Sequence, residues 1–350
     1  MVTMRLDVPP PALRLGFDPD ALRSNWQALD KLSGRARAGA AVKADGYGVG
    51  VRQVVPVLHA AGCRDFFVAH WSEVVDVLDF AAPGSISVLH GPLGDADAAF
   101  ARACGVKPVI NSLEQARRWL AAGGGRCDLM VDTAMNRLGL PMAQIGEECL
   151  KALEIDVLLS HLVSAEEDSA LNAVQCARWQ EVCAALPHAR SSLANSAGIA
   201  LGSAFHGDLT RPGIALYGGV PRPEMAGLIR PVVHPQAAIM QVRTVAAGET
   251  VGYNATFTAP AAMRVGTIAL GYADGYLRCW SGKGRFHAGG VELPVLGRIS
   301  MDMTVIDLSR APHLNEGDWV TANYTLPEAS AVTGLSQYEL LTVLGRRFGR

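Results

Sequence analysis

Regular alternation between short apolar runs and helical patterns is the feature that most constrains the fold of this chain. Between about residues 13 and 217, β-branched runs of strand length are followed by amphipathic segments about eight times in succession. Such repetition predicts parallel strands joined by helices. A closed (β/α)8 barrel occupies roughly 200–250 residues, which fits this segment. The alternation by itself leaves a doubly wound open sheet as an alternative.

Each predicted element follows from its local pattern. Asp18 resembles a helix N-cap before Pro19, and Leu22, Trp26 and Leu29 then recur at helical spacing. The predicted strands are residues 38–42, 64–69, 85–90, 106–110, 128–132, 156–161, 190–194 and 209–217. The predicted helices between them include residues 51–61, 72–80, 95–104, 112–122, 143–153 and 171–186.

The pattern changes near Pro221-Arg222-Pro223. Extended runs separated by glycine-containing turns follow at residues 237–245, 263–270, 290–296, 303–308 and 318–324, and a short helix is predicted at 336–348. We therefore expect an α/β protein with a barrel over residues 1–225 and a mainly β domain over residues 226–350.

Composition narrows the class of partner and of compartment. Apolar residues make up 49% of the 350 residues and charged residues only 18%, so a large core is available. The charge is 31 basic minus 33 acidic residues, or −2, which favours neither nucleic acid nor an anionic membrane as partner. The seven cysteines include no Cys-x-x-Cys pair, which argues against a disulfide framework and a zinc site. Without a recognisable signal peptide or membrane span, a cytoplasmic protein is expected.

Lys43 and the Arg211 segment are the first candidates for chemistry. Lys43 ends the first predicted barrel strand, at the end where barrels build active sites. Partial burial there would lower its pKa, as an imine-forming or basic lysine requires. Gly213, in Arg211-Pro212-Gly213, lies where the last barrel loops often bind phosphate. A strand-end lysine paired with an acid, and an ordinary Pro-Gly turn, are the alternatives for these two segments.

Six segments, in order, resemble the motifs of the alanine racemase family. They are residues 40–48, 135–139, 160–161, 195–198, 211–218 and 297–302. The resemblance spans nearly the whole chain. It implies a barrel that binds pyridoxal 5'-phosphate (PLP), followed by a C-terminal β domain. It also implies a head-to-tail homodimer that interconverts L-alanine and D-alanine, supplying D-alanine for peptidoglycan.

The resemblance also implies roles for individual residues. Lys43 would hold PLP covalently and act as one base, and Tyr253 from the other subunit would be the opposite base. Two bases on opposite faces of a planar carbanion allow a proton to leave one face and return to the other. The implied cofactor-binding residues are Lys43, Tyr47, His161, Ser196, Arg211, Gly213 and Ile214. The implied substrate-binding residues are Arg137 and, from the partner chain, Met301.

Two departures from the family pattern affect the site. Met130 stands where many members carry a carbamylated lysine, so Arg137 needs another brace. The family tail ends in a tyrosine that reaches the phosphate, and residues 347–350 match only the start of that tail. We therefore expect substrates larger than alanine, such as serine, to be accepted more readily than in members with the full tail.

Three other functions are weighed against alanine racemisation. A PLP-dependent decarboxylase would place a carboxylate, rather than Arg211, against the pyridine nitrogen. A non-catalytic PLP-binding protein would resemble the barrel alone, and the domain with Tyr253 and Met301 counts against it. A racemase of broader specificity is the nearest alternative, because sequence does not show the shape of the side-chain pocket.

Overall fold

A parallel barrel forms the core of the unit Pro19–Arg230 in this computed structural model, which describes residues 9–345, 347 and 348. Each strand as far as Arg190–Ser192 pairs in parallel with the next, and Leu209–Thr210 pairs in parallel with Arg37–Ala38. Arg211 N also donates to Ala194 O at 2.8 Å, which joins the last two strands. The strands are Arg37–Ala38 with Ala40–Ala41, Phe66–Val68, Ile86–Val88, Lys107–Ile110, Arg126–Asp132, Glu154–Leu159, Arg190–Ser192 and Leu209–Thr210. The predicted (β/α)8 barrel is confirmed, and the open sheet is excluded.

Several helices of this unit begin or end at recognisable capping residues. Ser112 Oγ accepts a hydrogen bond from Gln115 N and caps one helix, and Gly62 ends another with φ 115°. Trp26 and Leu29 lie on the buried face of the first helix. The helices are Pro19–Leu32, Val51–Ala61, Val74–Leu78, Asp95–Cys104, Leu113–Ala121, Ala170–Ala185 and Ser196–Ala200.

Two predicted elements in this unit are wrong in extent or type. Residues 143–153 form only 3₁₀ turns, Met142–Gln144 and Glu148–Ala152, because Gly146 and the extended Glu147 interrupt the helical pattern. The last barrel strand ends at Thr210 instead of continuing to residue 217. Pro212 lacks a backbone donor for the ladder, and a 3₁₀ turn follows at Ile214–Tyr217.

The barrel interior has an apolar layer and a charged layer. Phe67, Val109 and Leu159 belong to a buried cluster inside the barrel. Nearer the strand starts, Lys107 Nζ lies 2.5 Å from Asp156 Oδ2 and 3.2 Å from Asp128 Oδ1, with all three side chains buried. Filled in this way, the barrel leaves the carboxyl-terminal strand ends as the place for a site.

An antiparallel sheet forms the second unit, which contains residues 9–18 and those from Pro231 onward. Its longest strand, Val233–Val245, pairs with Met263–Ile268 and with Trp319–Ala322 and so closes a ring of strands. The strands are Leu13–Phe17, Val233–Val245, Met263–Ile268, Arg285–Ala288, Val291–Leu296, Thr304–Asp307 and Trp319–Ala322, with a small hairpin at Thr250–Val251 and Phe257–Thr258. The mainly β character expected of this part is confirmed.

The ends of the described chain differ from expectation. Leu13–Phe17 pairs with residues 233–237 and belongs to the β unit, whereas residues 1–225 were expected to form the barrel. Arg14 adds a contact to another strand of this unit, because its guanidinium lies 3.8 Å from the centre of the Trp319 ring. The terminal helices are Leu326–Thr333 and Gln337–Thr342, so the predicted helix 336–348 is too long. Gly349 and Arg350, which bear on the expectation about the tail, lie outside the described residues.

The cysteines, the helix lengths and the metal-ligating side chains of the described residues indicate no additional kind of site. All seven cysteines are free thiols, as expected. Across the described residues, no helix is both long and apolar enough to cross a membrane. The same residues contain no group of three or more histidine, cysteine or acidic side chains arranged to hold a metal ion.

Candidate active site

Lys43 lies two residues after the end of the barrel strand Ala40–Ala41 and before a left-handed turn. Ala44, Asp45, Gly46 and Tyr47 have φ of 53°, 54°, 62° and 56°. Left-handed geometry costs roughly 1–2 kcal/mol per non-glycine residue, so other contacts must stabilise this turn. The turn brings Tyr47, four positions after the lysine, back into the protein, where its side chain is buried.

The charge of Lys43 is controlled by its surroundings. The lysine is partly buried, and this burial lowers its pKa. The guanidinium groups of Arg137 and Arg211 lower the pKa further, whereas the carboxylate of Glu73 raises it. The pKa lies below the ordinary value of a lysine, so more of the amine is neutral and able to act as a nucleophile or base.

Hydrogen-bonding groups from three segments converge near Gly213. Ser196 Oγ accepts hydrogen bonds from Gly213 N at 2.9 Å and from Ala215 N at 3.3 Å. A Cβ at Gly213 would lie 2.3 Å from Tyr47 Oη, so only glycine fits here. Burial raises the pKa of Tyr47 to about 12, which keeps its hydroxyl protonated as a donor. Backbone and hydroxyl donors in this arrangement suit an anion, and Ile214 begins the buried 3₁₀ turn beside them.

Arg211 and His161 form the cationic and neutral parts of the same site. The buried Arg211 guanidinium donates to the carbonyl oxygens of Ser160 at 2.5 Å and Ser192 at 2.8 Å. Burial lowers the Arg211 pKa to about 10, so the group is still protonated near neutral pH. Burial and the charge of Arg211 lower the pKa of His161 to about 3. A neutral imidazole therefore accompanies a charged guanidinium.

Arg137 lies on a turn held by the carboxylate of Asp132. This carboxylate accepts hydrogen bonds from Ala134 N at 2.9 Å, Met135 N at 2.8 Å and Arg137 N at 3.3 Å. Met130 instead packs in the barrel core, so the position expected to brace the arginine is apolar. Asp132 fixes the backbone of Arg137, and the Arg137 charge lowers the pKa of both Lys43 and His161.

Tyr253 and Met301 belong to the β unit, and both side chains are exposed, at 63% and 53%. Tyr253 lies in the turn of the small hairpin, beside Gly252 with φ 77°. A Cβ on Gly252 would lie 3.3 Å from Arg298 N, so the hairpin packs on the segment that leads to Met301. The fold of this unit thus brings together the two backbone segments that carry these residues.

Sequence reasoning missed two residues that hold these segments in place. Glu73 accepts a hydrogen bond from Ala44 N at 2.6 Å, directly beside Lys43. Arg347 donates to Asp274 and Asp302, both at 2.7 Å, and so ties down the loop after Met301. A capping pattern from His70 to Glu73 is the local signal for the first. Arg347 lies in the matched tail, but its partners are distant in sequence.

Comparisons with known proteins match both units. A family model described as the N-terminal domain of alanine racemase matches residues 17–221, and the C-terminal domain model matches residues 232–350. An alanine racemase of Methylobacterium nodulans is 45% identical over 96% of this chain and 95% of its own length. One from Acidiphilium cryptum is 41% identical over 96% of this chain and 97% of its own length.

A solved structure is similar in fold over both units. It is the crystal structure of alanine racemase from Bartonella henselae with covalently bound pyridoxal phosphate. The TM-score is 0.88 at 34% identity, covering 98% of this chain and 99% of that one.

Proposed function

Because the chain belongs to the alanine racemase family, we propose that it interconverts L-alanine and D-alanine with PLP as its cofactor. The observation that carries this proposal is Lys43, an amine of lowered pKa at the carboxyl end of a barrel strand. It shares its surroundings with the buried Arg211 guanidinium. The homologous Bartonella enzyme holds PLP covalently, which is consistent with a reactive lysine of this kind.

The residues present fit PLP. Tyr47, Ser196 and the backbone N–H groups of Gly213 and Ile214 would hold its phosphate. Gly213 N lies 2.9 Å from Ser196 Oγ, and the lack of a Cβ at Gly213 leaves room for the Tyr47 hydroxyl beside them. Lys43 would hold it covalently. When bound, the cofactor withdraws electrons from the substrate Cα and makes the Cα proton removable.

Lys43 and Tyr253 would act as the two bases. The lowered pKa of Lys43 raises the fraction of neutral amine, the form that can accept the Cα proton on one face. Tyr253, exposed on the β unit, would serve the opposite face in a partner subunit. This division requires a homodimer with shared active sites. Arg137 and the backbone N–H of the partner subunit's Met301 would bind the substrate carboxylate.

Arg211 would set the reaction type. Its guanidinium keeps its protons near neutral pH, and its hydrogen-bond acceptors include carbonyl and hydroxyl oxygens. It would donate to the pyridine nitrogen without protonating it, and His161, neutral beside it, would add no charge. A pyridine ring whose nitrogen stays unprotonated withdraws electrons less strongly, and this would disfavour transamination and decarboxylation. We also propose that the D-alanine supplies peptidoglycan synthesis in the cytoplasm.

The deciding experiment incubates the purified protein with PLP and L-alanine, and separately with L-serine, and measures the D-enantiomers. We expect faster formation of D-alanine than of D-serine. Lys43→Ala should lose activity and the covalent attachment of PLP, detected by mass after borohydride treatment. Lys31→Ala, an exposed lysine on the first helix, is the matched control. Borohydride fixation of PLP in Lys43→Ala at the wild-type level would refute the assignment of Lys43.

A further inference from the structure

The carboxylate of Glu73 joins the ends of the first two barrel strands. Its Oε1 accepts a hydrogen bond from Ala44 N at 2.6 Å. Its Oε2 accepts from Ala69 N at 2.7 Å and from His70 N at 3.0 Å. Hydrogen bonds to an ionised carboxylate are roughly twice as strong as neutral ones. One side chain therefore holds the backbone beside Lys43 against the loop that follows Phe66–Val68.

Glu73 binds a left-handed turn whose backbone conformation is unfavourable by itself. Ala44, Asp45 and Tyr47 all have positive φ, which side-chain-bearing residues adopt unfavourably. Asp45 Oδ1 accepts from Val51 N at 2.8 Å and so anchors the far end of the turn. Glu73 anchors the near end at Ala44, one residue after Lys43. The direction of the Lys43 side chain depends on the backbone between the strand and this anchor.

Glu73 also opposes the positive charges around Lys43. Arg137 and Arg211 lower the pKa of Lys43, and Glu73 raises it. His161 and His90 also interact with the lysine, and burial together with His70 and Lys43 lowers the pKa of His90. Without the Glu73 charge, every charged group that shifts the pKa of Lys43 would be cationic, and this pKa would fall further.

We propose that Glu73 is a positioning residue for Lys43, one that orients the lysine through the left-handed turn and supplies the negative charge that balances its surroundings. The role rests on the proposed function, because it treats Lys43 as the reacting amine. It predicts two separable effects. Loss of the charge shifts the titration of Lys43, and loss of side-chain length loosens the turn.

The first test measures Lys43 in the full-length chain freed of PLP. An amine-reactive acylating reagent is applied across a pH series, and the labelling of Lys43 is compared with that of exposed Lys31 by peptide mass spectrometry. Glu73→Gln should move the midpoint for Lys43 to lower pH, because the neutral amine is the reactive form. Glu73→Asp should leave the midpoint near that of the wild type. The control, Glu148→Gln, removes an exposed acid and should change nothing. An unmoved midpoint in Glu73→Gln contradicts the electrostatic part of the role.

The second test uses the PLP-loaded enzyme. We expect kcat/KM for alanine to fall at least about tenfold in Glu73→Gln and in Glu73→Asp, since small misplacements of a reacting group are costly. Only Glu73→Gln should also shift the pH profile. Wild-type kcat/KM in Glu73→Asp would refute positioning, and this variant decides if Glu73→Gln does not fold. If the wild type racemises no alanine, the proposed function fails, while the labelling experiment still tests the effect of Glu73 on Lys43.

Discussion

At the scale of single residues, the site depends on close approaches and on charges that burial has shifted. Gly213 is needed because Tyr47 Oη lies where the Cβ of any other residue would be placed. Lys43, His161 and Arg211 all have lowered pKa values, and burial is the largest cause in each. Desolvation thus shifts each of these groups towards its neutral form, although Arg211 still carries its proton near neutral pH.

Gly213→Ala tests the close approach. The new methyl group would displace the Tyr47 hydroxyl and the donors beside it, so we expect the Kd for PLP to rise at least about tenfold, equivalent to the loss of about one charge-assisted hydrogen bond. The change in absorbance on adding PLP to the cofactor-free protein measures this Kd. Gly84→Ala is the control, since a Cβ there meets nothing within 4 Å. Equal affinities for PLP in the two variants would show that Gly213 does not contribute to binding the phosphate.

His161 predicts a pH dependence of stability. Its pKa is about 3 when folded, and an unfolded histidine titrates near 6.5. Between these values the unfolded chain binds a proton that the folded chain does not, so the group destabilises the fold progressively as pH falls below about 6.5. His161→Gln should therefore lose less Tm between pH 7 and pH 4.5 than the wild type in thermal unfolding. The exposed His313→Gln should behave as the wild type, and a similar loss in His161→Gln would contradict the prediction.

At the scale of elements, the barrel strands carry buried charges whose partners lie on other strands or beside a strand end. Lys107 begins one strand, and Asp128 and Asp156 lie on the next two around the barrel. Arg190, on the strand beyond, donates to Asp156 at 3.0 Å and to Asp65 at 2.8 Å. Such pairs specify strand order, because a shifted strand would leave a charge buried without its partner.

Lys107→Met tests this charged layer. It leaves Asp128 and Asp156 without their shared cation, and we expect the free energy of unfolding to fall by about 3–5 kcal/mol in chemical denaturation. Lys151→Met removes an exposed lysine paired with Glu148 and should cost about 0–1 kcal/mol. If both variants lose the same amount, the buried pairs do not stabilise the barrel as described.

At the scale of the whole molecule, the proposed chemistry draws on both units. Lys43, Arg137 and Arg211 belong to the barrel unit, and Tyr253 and Met301 belong to the β unit. Our proposal places the second base and the carboxylate donor in the site of a partner subunit. A symmetric dimer would then contain two sites, each built from two chains.

Mixing inactive variants tests the shared site. Lys43→Ala and Tyr253→Phe chains should each lose at least about 10²-fold in rate, the low end for a positioned base. After subunit exchange, each mixed dimer keeps one intact site, so random mixing should recover about a quarter of the wild-type activity. Lys43→Ala mixed with Lys43→Arg is the control and should recover none. Absence of recovery despite exchange verified by mass spectrometry would count against a shared site.

The local elements and the strand–helix repeat could be predicted from the amino-acid sequence. Helical patterns predicted Val51–Ala61 and Asp95–Cys104 with their observed bounds. The strand–helix repeat predicted the barrel, and that architecture placed Lys43 at a strand end. These inferences succeed because periodicity and backbone preference act over a few residues. Motif resemblance then supplied the proposed partners of Lys43, which local patterns do not contain.

Which distant segments meet depends on long-range pairing in the folded protein. Leu13–Phe17 joins the β unit because it pairs with residues 233–237, which lie far away along the chain. Glu73 meets Ala44 because two parallel strands end side by side, and no local pattern links an acid in one loop to strain in another. The pKa of Lys43 likewise depends on Arg137 and Arg211, which are far away along the chain. Burial and long-range pairing arise only when the chain folds, so they are properties of the tertiary structure.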